Sequence, residues 1–402
     1  MNQVRTTKKW RKRLATLLAT GIVGCATNSK TSSDHTPSHA DGNEFQQLVD
    51  TAQSEGKIPA IGVLVRKDGK ILFFGAQGKR ALRHEADATT KDEWHLGSDT
   101  KAMTAYLMAL AIQEGRLSYK TEIAKYFSSK TKIHKLNQNL TLGDILSQGS
   151  GLKDIQEVKN GDLWKKLWTS TKPLREQRNE MVRASLEESP HMSAETPSKA
   201  ERKFNYANIN YITAGAILEN LYNAEWEQII SDRLFKPLNM TSCGFGVSGE
   251  VSETEPSQPW PHVSEGGELI SVPPKHKIDN PPFVGPAGTV HCSLEDWEKF
   301  VGELQNAWHG KGALLRNKDV SKQYFAAAPG SPYTYGGWGR KEEPFATSTF
   351  EHDGSNTFNY AVAFFAPEKN LTVLLVANSG QPDVGKALGH LKKAIALKLL
   401  SP

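Results

Sequence analysis

Apolar residues recur with helical spacing at Phe45, Leu48, Val49 and Ala52, which predicts a helix from Glu44 onward. Two β-prone apolar runs follow, Ile61–Arg66 and Ile71–Phe74, with Lys67-Asp68-Gly69-Lys70 between them. Asp-Gly between such runs is a hairpin signal, because both residues tolerate the positive φ of a tight turn. Ala102–Ile112 is rich in Ala, Leu and Met and has no Gly or Pro, so it reads as a buried helix, with Gly115 placed for a left-handed cap. The pattern stays helical from Ser98 to about Met240, and Leu152–Lys203 is its least regular part. Residues 248–286 are rich in Pro, Gly, Ser and Glu and read as a long surface loop. Tyr360–Phe365 and Leu371–Val376 flank Ala366-Pro367-Glu368-Lys369-Asn370 as a second hairpin, and Val384–Leu400 closes the chain as an amphipathic helix. There is no internal repeat.

Strands near both ends with helices between them predict an α/β (α+β type) fold class. One antiparallel sheet is built from the two chain ends and flanked by helices, and a mostly helical lobe is inserted. Residues 44–97 and 245–402 form the α/β lobe and residues 98–244 the helical one. The cleft between them is the expected place for a site.

Composition is that of an ordinary globular chain: 402 residues, 38% hydrophobic and 23% charged. The formal net charge of +5 changes meaning once it is located. Arg5, Lys8, Lys9, Arg11, Lys12 and Arg13 fall in residues 1–24, which hold no acid; the remaining 43 basic residues face 44 acidic ones. A near-neutral body argues against a nucleic-acid partner. The basic start followed by apolar Leu14–Val23 reads as a secretory signal. It ends Ile22-Val23-Gly24-Cys25, similar to a bacterial lipobox, so Cys25 is the expected lipidation site. Ala26 after it resembles an outer-membrane address. Residues 25–43 read as a flexible tether. The expected location is the bacterial cell envelope, lipid-anchored to the outer membrane and facing the periplasm. In that compartment Cys243 and Cys292 either pair or remain two buried thiols; spacing does not choose.

Candidate chemistry centres on Ser98 and Lys101, three apart at the start of the apolar helix. Positions i and i+3 share a helix face, so hydroxyl and amine can meet at the positive helix terminus. A lysine in apolar surroundings can give up its proton and activate the serine. Ser54…Lys57 and Ser129…Lys132 share the spacing, but neither opens an apolar helix. Tyr206-Ala207-Asn208 precedes a second apolar helix. Its phenol can relay a proton, and its amide can both donate to and accept from a substrate. His352-Asp353-Gly354-Ser355 leads into the C-terminal strand pair, with a glycine that permits close backbone approach. The histidines show no zinc-ligand spacing, and there is no G-x-S-x-G elbow or phosphate-binding loop. No cofactor or metal is expected.

These three motifs, in this order, resemble the serine β-lactamase and penicillin-binding-protein superfamily, especially its class C-like branch of exported esterases and peptidases. The resemblance runs from about Phe45 to the C-terminus. Leu142–Leu152, Leu234-Phe235-Lys236-Pro237-Leu238-Asn239-Met240 and Pro286-Ala287-Gly288-Thr289 add to it. It implies a β-lactamase/transpeptidase-like fold and an acyl-enzyme on Ser98. Lys101 and Tyr206 would share base and acid work in an undecided division, and Asn208 would hold the substrate. The backbone N–H groups of Ser98 and Ser355 would form an oxyanion hole beside Gly354. His352 stands where penicillin-active members usually carry lysine, and Asp353 where they carry a hydroxyl. A neutral imidazole beside an acid is a poor carboxylate receptor, so an uncharged ester or amide is expected ahead of a β-lactam. Ser147-Gln148-Gly149-Ser150-Gly151 departs from the relatives' Ser-His-Thr-Ser-Gly and reads as structural. The expected partners are a small-molecule or peptidoglycan-type acyl substrate and, through Cys25, a membrane. The alternatives are a cell-wall D,D-carboxypeptidase, a β-lactamase, or an envelope sensor on the same fold that does not turn over.

Overall fold

Asp68 (φ 50°) and Gly69 (φ 78°) both adopt left-handed conformations, closing the first hairpin as a two-residue turn matched to strand twist. The computed structural model describes residues 39–191, 204–249, 255–274 and 278–400. The signal segment, Cys25 and most of the expected tether lie outside the described residues. The described residues belong to one compact unit.

The chain opens with α1 (His39–Gly56), β1 (Ala60–Lys67), β2 (Lys70–Gly78) and β3 (Glu93–His95), then enters α2 (Thr100–Gln113). The helical stretch continues through α3 (Ala124–Phe127), α4 (Leu142–Leu146), α5 (Asp162–Trp168), α6 (Leu174–Glu187), α7 (Asn208–Tyr222) and α8 (Trp226–Ile230). Next come β4 (Gly244–Phe245), β5 (His262–Glu265), β6 (Glu268–Ser271), α9 (Gly285–Gly288), β7 (Val290–Ser293), α10 (Leu294–Trp308) and α11 (Lys318–Tyr324). The chain ends with β8 (Gly339–Glu343), β9 (Ala346–Ser355), β10 (Tyr360–Ala366), β11 (Leu371–Ala377) and α12 (Pro382–Leu400).

Six strands form the main sheet in the order β2-β1-β11-β10-β9-β8, every pair antiparallel. The first and last strands of the chain therefore meet at its centre, Val63 opposite Leu375, as the two-ended pattern predicts. Both faces are buried, so the central strands are apolar throughout rather than alternating. Val63, Val65, Val373 and Leu375 pack on α1 and α12 through Phe45, Val49, Leu388 and Leu391. Leu64, Phe365, Leu374 and Val376 face the other way, toward Trp94, Trp297 and the helices. Burying each such side chain contributes about 1.5–3 kcal/mol.

In α2 every residue from Thr100 to Ala111 is buried, as a helix that is apolar all round requires. Gly115 takes φ 73°, the expected left-handed cap. Residues 248–286 depart from the expected surface loop. They carry the β5–β6 hairpin and bury Trp260 and His262. His262 Nδ1 lies 2.9 Å from Asn378 O, and its Nε2 accepts from Leu82 N–H at 3.1 Å. Turn-forming composition was visible there, but these anchors depend on partners more than 100 residues away. The poorly patterned stretch after Leu152 contains α5 and α6, where Arg178 is buried in ion pairs with Glu219 and Glu227. Cys243 and Cys292 form a disulfide joining the approach to β4 with β7.

Candidate active site

Strand β3 delivers the chain to Leu96, whose N–H donates to Val290 O at 2.8 Å, and then to a single tight turn, Gly97–Asp99, ahead of α2. Gly97 takes φ 51°, and a Cβ on it would lie 2.4 Å from Ser355 N. A Cβ on Gly354 would lie 1.9 Å from Leu96 O. Two glycines thus let the Ser98 turn and the end of β9 touch backbone to backbone, which no larger residue permits. Asp99, not Ser98, takes the N-cap position of α2 and makes no side-chain cap bond.

Lys101 is fully buried. Its Nζ donates to Ser98 Oγ at 3.0 Å, Asn208 Oδ1 at 2.8 Å and Ala287 O at 2.7 Å. Those acceptors match the three donors of an ammonium. Burial pulls its pKa down to about 7, against the opposing pull of Asp154 and Asp99. Near neutral pH the amine therefore exists in both forms, and the neutral form can accept the Ser98 proton. Ala287 comes from the α9 turn, which is pinned to α2 by Thr104 Oγ1 donating to Pro286 O at 2.7 Å. Gly215 of α7 leaves room for Pro286, which an added Cβ would meet at 2.2 Å.

Tyr206 is 41% exposed taken as a whole residue. Lys101 Nζ is 4.8 Å from its ring centre. Its phenol end is enclosed: burial raises its pKa, partly offset by hydrogen bonding to Ser98. At neutral pH it is a phenol and a proton donor. Asn208 opens α7. Its Oδ1 is taken by Lys101, and its Nδ2 donates to Asp154 Oδ2 at 3.4 Å. As placed, Asn208 orients the lysine.

His352 is buried on the β9 face that meets the Ser98 turn. Its Nε2 is 2.7 Å from Tyr333 Oη. Burial first, then the Lys101 charge, lower its pKa to about 3, so the imidazole is neutral. Asp353 alternates to the opposite face and accepts from Tyr360 Oη at 3.3 Å. Strand alternation thus turns it away from the face His352 occupies. Ser355 Oγ is engaged within its own turn, donating to Asn359 O at 2.8 Å.

Three further residues shape the site. Gln148 is buried at φ 60°; its Oε1 accepts from Ala207 N–H at 3.0 Å and its O from Asn205 N–H at 2.8 Å, so it clamps the Tyr206 segment from both sides. The loop read as merely structural therefore positions the phenol. Asp154 caps the start of α7 through Ile209 N–H at 3.0 Å and sets the field at Lys101. Asp99 is buried beside His352, and burial raises its pKa well above the carboxylate range. Asp99 was marked in sequence by its place inside the Ser98–Lys101 spacing and Gln148 by its loop's departure from the relatives' pattern, while Asp154 carried no signal. Among the described residues no group of His, Cys, Asp or Glu could hold a metal ion. No helix among them is long and apolar enough to cross a membrane.

The family described as Beta-lactamase matches residues 45–397. Protein flp of Staphylococcus aureus strain MW2 is 24% identical over 366 residues, spanning 88% of this chain and 67% of that protein. The octameric penicillin-binding protein homologue from Pyrococcus abyssi superposes with TM-score 0.69 at 20% identity, over 89% of this chain and 79% of that one. D-amino acid amidase from Ochrobactrum anthropi SV3 superposes with TM-score 0.67 at 16% identity, over 89% and 98%.

Proposed function

The chain belongs to the Beta-lactamase family as a serine hydrolase of the β-lactamase-related type, and we propose that it cleaves an uncharged ester or amide through an acyl-enzyme on Ser98. The observation that carries this reading is the wholly buried Lys101 amine 3.0 Å from Ser98 Oγ. Neutral Lys101 takes the hydroxyl proton as Oγ attacks the carbonyl carbon. The N–H groups of Ser98 and Ser355 hold the oxyanion that forms. Tyr206, kept protonated, delivers a proton to the leaving alcohol or amine and is restored from Lys101. Water then enters, gives a proton back through the same pair, and releases the acid and the free serine.

The neutral His352 supports an uncharged substrate, since it offers no fixed cation to a carboxylate. Amides are included because one structural neighbour is a D-amino acid amidase. A fluorophosphonate probe is expected to leave its adduct on Ser98, located by peptide mass spectrometry, and Ser98→Ala is expected to lower ester hydrolysis by at least about 10³-fold. Labelling at another serine, or hydrolysis undiminished in Ser98→Ala, overturns the reading. For the leader, the proposal is a lipid on Cys25 that tethers the enzyme to the envelope. Cys25→Ser is then expected to abolish incorporation of a labelled fatty acid and to shift the protein out of the membrane fraction.

A further inference from the structure

His95, at the end of β3, is buried and faces the Ser98 turn from behind. Its Nδ1 accepts the Gly97 N–H at 3.0 Å. Its Nε2 lies 2.9 Å from Asp279 Oδ1, a close polar contact short of hydrogen-bond alignment. That oxygen accepts hydrogen bonds from Asn356 Nδ2 at 2.9 Å and from Asn280 N–H at 2.6 Å. Asn356 is buried, and its Oδ1 closes the turn after Ser355 by accepting the N–H groups of Phe358 at 3.1 Å and Asn359 at 2.8 Å. One carboxylate oxygen therefore joins the turn that carries Ser98 to the turn that follows Ser355. His291 stands nearby without competing: its Nδ1 is 2.9 Å from Gly246 O, and its Nε2 is 3.6 Å from Glu93.

The geometry points to Asp279 as a positioning residue that sets the spacing between the two backbone segments of the oxyanion hole. This rests on the acyl-enzyme reading given above. Oxyanion donors act only within about 2.7–3.1 Å of the developing charge, so a small drift between the segments is felt in the transition state more than in substrate binding. Losing Asp279 leaves Gly97 bonded to a histidine free to turn, and leaves the Asn356 turn untied from it. Asp279→Asn keeps an oxygen at the position that touches His95 and accepts from Asn356.

The test titrates active sites with a fluorophosphonate and measures ester hydrolysis per titrated Ser98. In Asp279→Ala, kcat per titrated site is expected to fall about 30- to 100-fold with KM changed less than about threefold, in line with the effect of a displacement near 1 Å. Affinity for an aryl boronic acid, which mimics the tetrahedral intermediate, is expected to fall in parallel. Asp279→Asn is expected to stay within about threefold of wild type, the difference a retained acceptor makes. Asn356→Ala removes one tie only; it carries the same direction and serves if Asp279→Ala does not fold. A purely structural role would lower the fraction of titratable sites and leave kcat per site unchanged, and that result overturns the inference. So does an Asp279→Asn variant as impaired as Asp279→Ala. Failure of the wild type to label on Ser98 sinks the acyl-enzyme reading instead, so the two failures are distinguishable.

Discussion

Lys101 carries the proton balance of the site. Its pKa in the folded protein is lowered to about 7, and the reaction needs its neutral form. Ester hydrolysis (kcat/KM) is therefore expected to rise about tenfold per pH unit below a midpoint near 7 and to level off above it. A pH–rate profile flat from 5 to 8 would contradict this. The same shift bears on stability. Between about 7 and 10.5 the unfolded chain binds a proton at this lysine that the folded chain does not, so its burial is least unfavourable at alkaline pH. His352 is lowered in the same sense, to about 3, so it gains no charge across the working range. The preference for a neutral p-nitrophenyl ester over the carboxylate-bearing nitrocefin is expected to hold without inversion from pH 5 to 8, read by assaying both substrates side by side.

At the scale of elements, the Ser98 turn and the end of β9 depend on two glycines whose missing Cβ atoms leave room for backbone contact. Gly354→Ala is expected to push β9 off the turn, lower kcat about 10²-fold and destabilise the fold by about 1–3 kcal/mol, measured by ester assay and urea unfolding. In the sheet, Leu375→Ala in β11 removes a fully buried side chain opposite Val63 and is expected to cost about 2–5 kcal/mol in the same unfolding experiment. Elements with a strong local signal were legible in advance. The Asp68-Gly69 hairpin announces its turn type, and α2 announces its burial by lacking any polar face. The β5–β6 hairpin and the Gln148 clamp were not legible. Their stability comes from distant partners: Asn378 for His262, and the Tyr206 segment for Gln148.

For the molecule as a whole, the chain ends close one sheet, and the Cys243–Cys292 bond braces the small sheet that holds β3 behind Ser98. Closing a loop of 49 residues is worth about 4 kcal/mol in the chain-entropy account, so the Cys243→Ser/Cys292→Ser protein is expected to lose about that much in denaturant unfolding. Residue order alone put Ser98 and Lys101 one helical turn apart, ahead of an apolar helix, and located the two motifs that complete the set. It could do so because helix periodicity and turn chemistry act over a few residues. The fold decided the rest: Ala287 and Asn208, 186 and 107 residues from Lys101, fill its donors, and strand alternation sends Asp353 to the far face. A proton's position depends on burial and on charges gathered from the whole chain, and those exist only once the chain has packed.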